Sequence, residues 1–172
     1  MTAYARVFAL LSVATGAVYV ISIWLGAQHL VVGSEKLWPF DQRPLGYGFF
    51  DAKTYLMLLK EEGSAFYLGP MRLLDTAFPI LLGFWMGMLW WGLTTRIHPW
   101  SRVIMLIAPA AFTMMDLCEN ALIAEMVRLG PEGIDRDLVV LASSYTVSKY
   151  VTLLVAILVL GGMALQRSTR VG

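Results

Sequence analysis

Charge is scarce in this chain, and histidine and cysteine are nearly absent. Only 15% of its 172 residues are Asp, Glu, Lys or Arg, whereas 58% are hydrophobic. Soluble domains carry about 25% and about 45–50% of these classes. The shortage of charge excludes a disordered chain and argues against a water-soluble globule. A formal net charge of +1 leaves no basic field for nucleic acid and no acidic tail for a cationic partner. The single cysteine, Cys118, excludes an internal disulfide, a CxxC redox centre and a cysteine-built zinc site. It falls mid-span and reads as a small apolar residue. The two histidines, His29 and His98, fall near opposite membrane faces, so they cannot jointly ligate a haem. There is no phosphate-binding glycine loop, no HExxH, no GxSxG and no heptad zipper. The sequence therefore assigns no catalytic residue, no metal site and no cofactor.

What the chain does have is long apolar runs, with a mean hydropathy of +0.68. A membrane-crossing helix needs about 20 mostly apolar residues. Four stretches qualify, at residues 7–32, 73–93, 103–127 and 138–165. They predict an all-α fold: one domain over residues 1–172, a bundle of four transmembrane helices. The first stretch is uncharged, too long for a signal-peptide core and closed by no cleavage site, so it reads as a retained helix. Four crossings put both termini on one side. The segments on that side, 1–6, 94–102 and 166–172, hold Arg6, Arg96, Arg102, Arg167 and Arg170 and none of the chain's acidic residues. Their basic density places both termini in the cytoplasm and the 33–72 loop outside a cytoplasmic (inner) membrane. Trp90, Trp91 and Trp100 would form the inner aromatic belt, and Trp38, Tyr47, Phe66 and Tyr67 the outer one. Residues 51–62 of the outer loop mix Ala52, Tyr55, Leu56, Leu58 and Leu59 with Lys53, Lys60, Glu61 and Glu62. That spacing predicts a short amphipathic helix on the outer leaflet or capping the bundle, ended by Gly63 and led into span two by Gly69-Pro70. Gly130-Pro131-Glu132-Gly133 marks the turn between spans three and four.

The ionisable residues inside the spans carry the functional information, because such groups are costly in hydrocarbon and face protein, water or one another. Span two opens with Arg72, Asp75 and Thr76, followed by Pro79. Span three carries Asp116, Glu119 and Asn120 on one helical face. Span four carries Tyr145, Ser148 and Lys149, and span one ends with Gln28 and His29. At about 1.5 Å per residue, Asp116 and Glu119 lie roughly 20 and 24 Å above the inner end of their span. All four helices thus bring polar groups to one level in the outer half. Three carboxylates there meet two bases. Asp116 with Lys149, and Asp75 with Arg72 or Lys149, could form a structural ion-pair network. The surplus carboxylate could instead be protonated, solvated or bound to a cation, which points to a pocket. Gly83 and Gly87 in span two, and Ser12 and Gly16 in span one, form small-residue faces for close helix packing, within the bundle or against another protein. Pro79 and Pro109 should kink their spans.

The run Phe40-Asp41-x-Arg43-Pro44-x-Gly46-Tyr47, then Tyr67-Leu68, Leu74-Asp75-x-x-Phe78-Pro79, Asp116-x-x-Glu119-Asn120 and Lys149, resembles a group of uncharacterised bacterial four-span integral membrane proteins. The likeness covers most of the chain after span one and implies topology, with no activity attached. A fainter similarity, to four-span sterol-isomerase and sigma-2-receptor-like proteins, rests on the span count and on an acidic residue near a proline in span two, here Asp75 and Pro79. It implies an outer-leaflet ligand cavity. The isomerase chemistry of those proteins uses a histidine within the spans, and this sequence has none at that depth.

Three functions follow as expectations. The first is a non-enzymatic membrane protein, an accessory subunit of a larger complex or a binder of a lipid or apolar ligand through the polar cluster. Its partners would be the lipid bilayer, other membrane subunits or a second copy, and no nucleic acid. The second is an intramembrane enzyme acting on a lipid or isoprenoid head group, with Asp116 or Glu119 as acid/base. The third is a small-cation or proton-coupled transporter, which needs a polar path through the apolar inner half.

Overall fold

The computed structural model describes residues 2–95 and 97–168, with side chains of the last helix as far as Gly162. Arg96, Arg170 and the side chain of Arg167 lie outside it. The architecture is all-α. Among the described residues six helices follow in order: α1 (Ala3–His29), α2 (Phe49–Phe66), α3 (Arg72–Leu93), α4 (Pro99–Met105), α5 (Ile107–Gly133) and α6 (Arg136–Ser168). A single π turn, Tyr67–Met71, joins α2 to α3, and one residue joins α4 to α5. Four helical segments are therefore long and apolar enough to cross a membrane: Ala3–His29, Phe49–Leu93, Pro99–Gly133 and Arg136–Gly162.

Helix α5 is the centre of the bundle. It packs on α3 and α6, with α2 laid over one end, while α1 packs mainly along α3 and makes little contact with α6. A larger core at the α2 end gathers Leu30, Phe40, Tyr55, Leu59, Ile123 and Met126. A smaller one towards the termini gathers Met86, Trp90, Phe112 and Ala156. Tyr47, Tyr67 and Trp90 are buried, so these three are packing residues rather than members of an interfacial belt.

Helix α2 buries Ala52, Tyr55, Leu56 and Leu59, the one-face spacing of an amphipathic helix, and leaves Lys60, Glu61 and Glu62 exposed. The Tyr55 hydroxyl donates to the Leu30 carbonyl at 2.8 Å, tying this cap to the end of α1. The cap does not stop at Gly63. Its break lies at Lys60, with φ of 57°, and the chain resumes helix at once. Gly63 serves close approach: a Cβ there would come within 2.7 Å of Leu59 Cδ1 and 3.6 Å of the His29 carbonyl. Pro70 likewise interrupts nothing, because the π turn around it widens the helix where the ring would clash with the preceding turn. The helix that holds the second apolar stretch consequently runs on from the cap without a break, from Phe49 to Leu93.

Pro109 acts upstream of itself. The helix breaks at Leu106, whose amide turns back to Val103 O at 3.0 Å, just after the Met105 carbonyl that the proline ring would meet. Near its end α5 breaks at Gly130, at φ 68°, a conformation open to glycine, before the chain enters α6. Among the small residues, Gly83 brings α3 onto α5, since a Cβ there would lie 2.1 Å from Thr113 Oγ1. Ser12 Oγ accepts from Trp85 Nε1 at 2.8 Å and joins α1 to α3. Gly16 borders open space, and a Cβ at Gly87 would meet only Leu106 Cδ2, at 3.8 Å.

Candidate functional site

Two helices face each other through two pairs of side chains. Asp116 and Glu119 stand one turn apart on α5, and Thr146 and Lys149 stand one turn apart on α6. Lys149 Nζ lies 3.0 Å from Asp116 Oδ1 and 2.5 Å from Glu119 Oε2. Thr146 Oγ1 donates to the other Glu119 oxygen at 2.6 Å. All four side chains are buried. One ammonium thus serves two carboxylates, and its charge is fully used there.

The next layer comes from a proline. Pro79 has no amide, so the Asp75 carbonyl one turn earlier loses its helical partner. Asn120 supplies the missing donor, with Nδ2 at 2.6 Å from Asp75 O. Arg72 Nη1 donates to the Asn120 carbonyl at 3.0 Å. Arg72 therefore braces α5 and forms no ion pair with Asp75. Asp75 is 9% exposed, and its carboxyl Oδ2 is buried with no hydrogen-bond partner.

Asp75 lines a cavity of about 330 Å³. Asp41, Asp116, Asn120 and Lys149 complete its polar end. Phe78, Leu82, Phe112 and Leu153 line it one to two turns deeper, where it is apolar. The space exists because α1 leans on α3 and stands off from α6. Its roof is the 3₁₀ turn Phe40–Gln42. Phe40 anchors that turn, 4.7 Å between ring centroids from both Tyr47 and Tyr55. Arg43 donates twice to the Trp38 carbonyl, at 2.9 and 2.7 Å. Tyr150 donates to the Asp41 carbonyl at 2.8 Å.

Burial raises the Asp41 carboxyl above the ordinary carboxylate range, with Lys149 and Arg43 pulling it down and Asp116 adding to the rise. The folded protein then holds this proton more tightly than the unfolded chain does. The associated stability is complete below the ordinary carboxylate range and is lost as pH rises towards the raised value. The melting temperature of the wild type should therefore rise more than that of Asp41→Asn between about pH 8 and about pH 5. Equal rises in a paired scan would show an ordinary carboxyl at position 41.

The structure brings Asp75, Asp116, Glu119, Asn120 and Lys149 together and sets Arg72 beside them. It does not bring in His29, Tyr145 or Ser148. His29 is exposed and stacks on Phe66 at 4.2 Å. Ser148 and Tyr145 are half-buried and lie outside the cavity wall. Helix α1 contributes Tyr19 and Ser22 instead, about two to three turns before His29. Asp41, Gln42, Thr146 and Tyr150 were missed in the sequence. The available signal was Pro39-Phe40-Asp41, a carboxylate beside an aromatic that has to be buried. No group of three or more His, Cys, Asp or Glu side chains able to hold a metal ion occurs among the described residues. Comparison with known proteins gives no match: no protein-family model fits the chain, and neither a curated protein nor a solved structure matches it.

Proposed function

We propose that this chain is a non-enzymatic integral membrane protein that binds a lipid or other apolar ligand, with a basic head group on the ligand meeting the carboxylates of the cavity. The observation that carries the reading is the buried, unpartnered Asp75 carboxyl beside a lysine already shared by two acids. A lone buried carboxylate is costly, and a protonated amine or similar cation would remove that cost. The apolar depth below it suits a hydrocarbon tail. In this reading the membrane is a bacterial inner membrane, the termini are cytoplasmic, and the cavity lies in the outer half under the 33–72 segment.

An enzyme using Asp116 or Glu119 as acid/base fits less well, since both are held by Lys149. A transporter fits less well because Met86, Trp90, Phe112 and Ala156 close the other half with apolar packing. An accessory-subunit role draws support from α1, whose buried residues are only Thr15, Ser22 and Gly26. Its long apolar face is free to meet another membrane helix.

Native mass spectrometry from mild detergent tests the binding reading. The wild type is expected to retain a defined small mass. Asp75→Asn is expected to weaken it about 10- to 100-fold, the loss of one charge-assisted contact of about 1.5–3 kcal/mol. Equal retention by Asp75→Asn would overturn the proposal, and a chemically altered ligand would restore the enzyme reading.

A further inference from the structure

A second recess lies between α3 and α5, in the half of the bundle nearer the termini. It is a groove of about 540 Å³. Gly83, Gly87 and Ala110 form its floor by lacking side chains. Phe84 and Met114 are ridges, 68% and 61% exposed. The Thr113 hydroxyl on its wall is already engaged, donating to the carbonyls of Pro79 and Pro109 at 3.1 and 3.0 Å. The groove therefore asks for hydrocarbon and offers no polar contact along its length. From Ile80 to Trp91 it runs roughly 16 Å, at about 1.5 Å per residue. One leaflet contributes about 15 Å of the roughly 30 Å bilayer core.

Arginines stand just beyond one end of this groove. Tyr4 and Trp91 line it there, and the Tyr4 hydroxyl donates to the Met88 carbonyl. The Arg102 guanidinium lies 3.8 Å from the centre of the Trp91 ring and donates to the Trp91 carbonyl at 2.9 Å. Arg6 is exposed at the same end of the bundle, on a different face of α1 from Tyr4. No Asp or Glu occurs at residues 1–34 or 76–115, so no carboxylate on the neighbouring chain offsets these arginines.

From this geometry we infer that the groove seats one acyl chain of an anionic phospholipid, whose phosphate head group meets Arg6 and Arg102. The inference rests on the chain being inserted in a membrane and is independent of the Asp75 cavity. Charge decides against a second copy as the occupant. Two copies in one membrane share an orientation, so docking through this groove about a twofold axis sets Arg6 and Arg102 of one against those of the other. An anionic head group neutralises them instead.

Gly87 supplies the decisive variant. A Cβ there meets nothing closer than Leu106 Cδ2 at 3.8 Å, so a leucine fits the backbone and fills the groove. Delipidated protein in mild detergent is titrated with phosphatidylglycerol and with phosphatidylcholine of the same chains, and bound lipids are counted by native mass spectrometry. The wild type is expected to saturate at one phosphatidylglycerol, preferred about fivefold or more over phosphatidylcholine. Gly87→Leu is expected to lose the saturable lipid. Arg6→Gln/Arg102→Gln is expected to keep one lipid and lose the preference. If Gly87→Leu fails to fold, Met114→Trp narrows the groove from its exposed rim and should weaken binding in the same way. Asp75→Asn is expected to leave this lipid untouched. Saturable binding unchanged in the groove variants overturns the inference, as does a dimer mass that Gly87→Leu abolishes.

Discussion

Replacing Lys149 with methionine is expected to cost about 3–5 kcal/mol, because it strands Asp116 and Glu119 as uncompensated buried acids. Folded proteins have about 5–15 kcal/mol in hand, so the variant should be monodisperse only at low temperature or not at all. Lys149 Nζ touches both carboxylates, and each of the three side chains is buried. The triple variant Asp116→Asn/Glu119→Gln/Lys149→Met is expected to recover most of that loss. It removes the charges together and keeps their volume, and a buried ion pair exchanged as a unit is often neutral. Thermal unfolding monitored by size-exclusion chromatography in one detergent compares the two. A Lys149→Met protein within about 1 kcal/mol of the wild type would mean that the cluster is hydrated, with water screening its acids. The triple variant also separates scaffold from recognition. If it still retains the small mass that Asp75→Asn loses, the α5–α6 pairs hold the bundle together, and Asp75 is the group that reads the ligand.

The fold class was legible because charges are rare enough to leave four apolar runs standing out. The meeting of Asp116, Glu119 and Asn120 with Lys149 was legible because helical spacing puts the first three on one face and depth matches the fourth to them. What spacing cannot supply is rotation about a helix axis. Tyr145 and Ser148 share a stripe with Lys149, yet α6 turns Thr146 inward to Glu119 in their place. Depth matching also failed at α1, where His29 lies at the cap and Ser22 at the cavity. The roof was hidden for a different reason. A three-residue turn has no periodicity, and Asp41 enters the cavity only because Phe40 is pinned between Tyr47 and Tyr55. Gly63 misled as a helix stop, and Gly69-Pro70 as a separate lead into span two, since each was judged by its backbone preference. Tertiary packing required a glycine at the first, and a π turn absorbed the second.

Asn120 has a dependence on Pro79 that no reading of polar residues one at a time would show, and a double-mutant cycle should expose it. Asn120→Leu is expected to cost about 1–3 kcal/mol, since it orphans the buried Asp75 carbonyl. In a Pro79→Ala background, residue 79 regains an amide that can bond that same carbonyl along the helix. The cost of Asn120→Leu should then fall below about 1 kcal/mol, giving a coupling within the range of about 0.5–3 kcal/mol found for residues that share one partner. Unfolding of the four proteins in matched detergent reads the coupling directly. Equal costs in the two backgrounds would show that the Asn120 side chain acts independently of the Asp75 carbonyl, since the Arg72 bond goes to the Asn120 backbone oxygen and survives the substitution. A measured coupling would mean more than stability. Asn120 would then hold the Asp75 backbone at the point where α3 lacks a bond, and the position of the Asp75 carboxyl in the cavity would depend on it. Asn120→Leu should in that case weaken ligand retention in the Pro79 protein and spare it where alanine has repaired the helix.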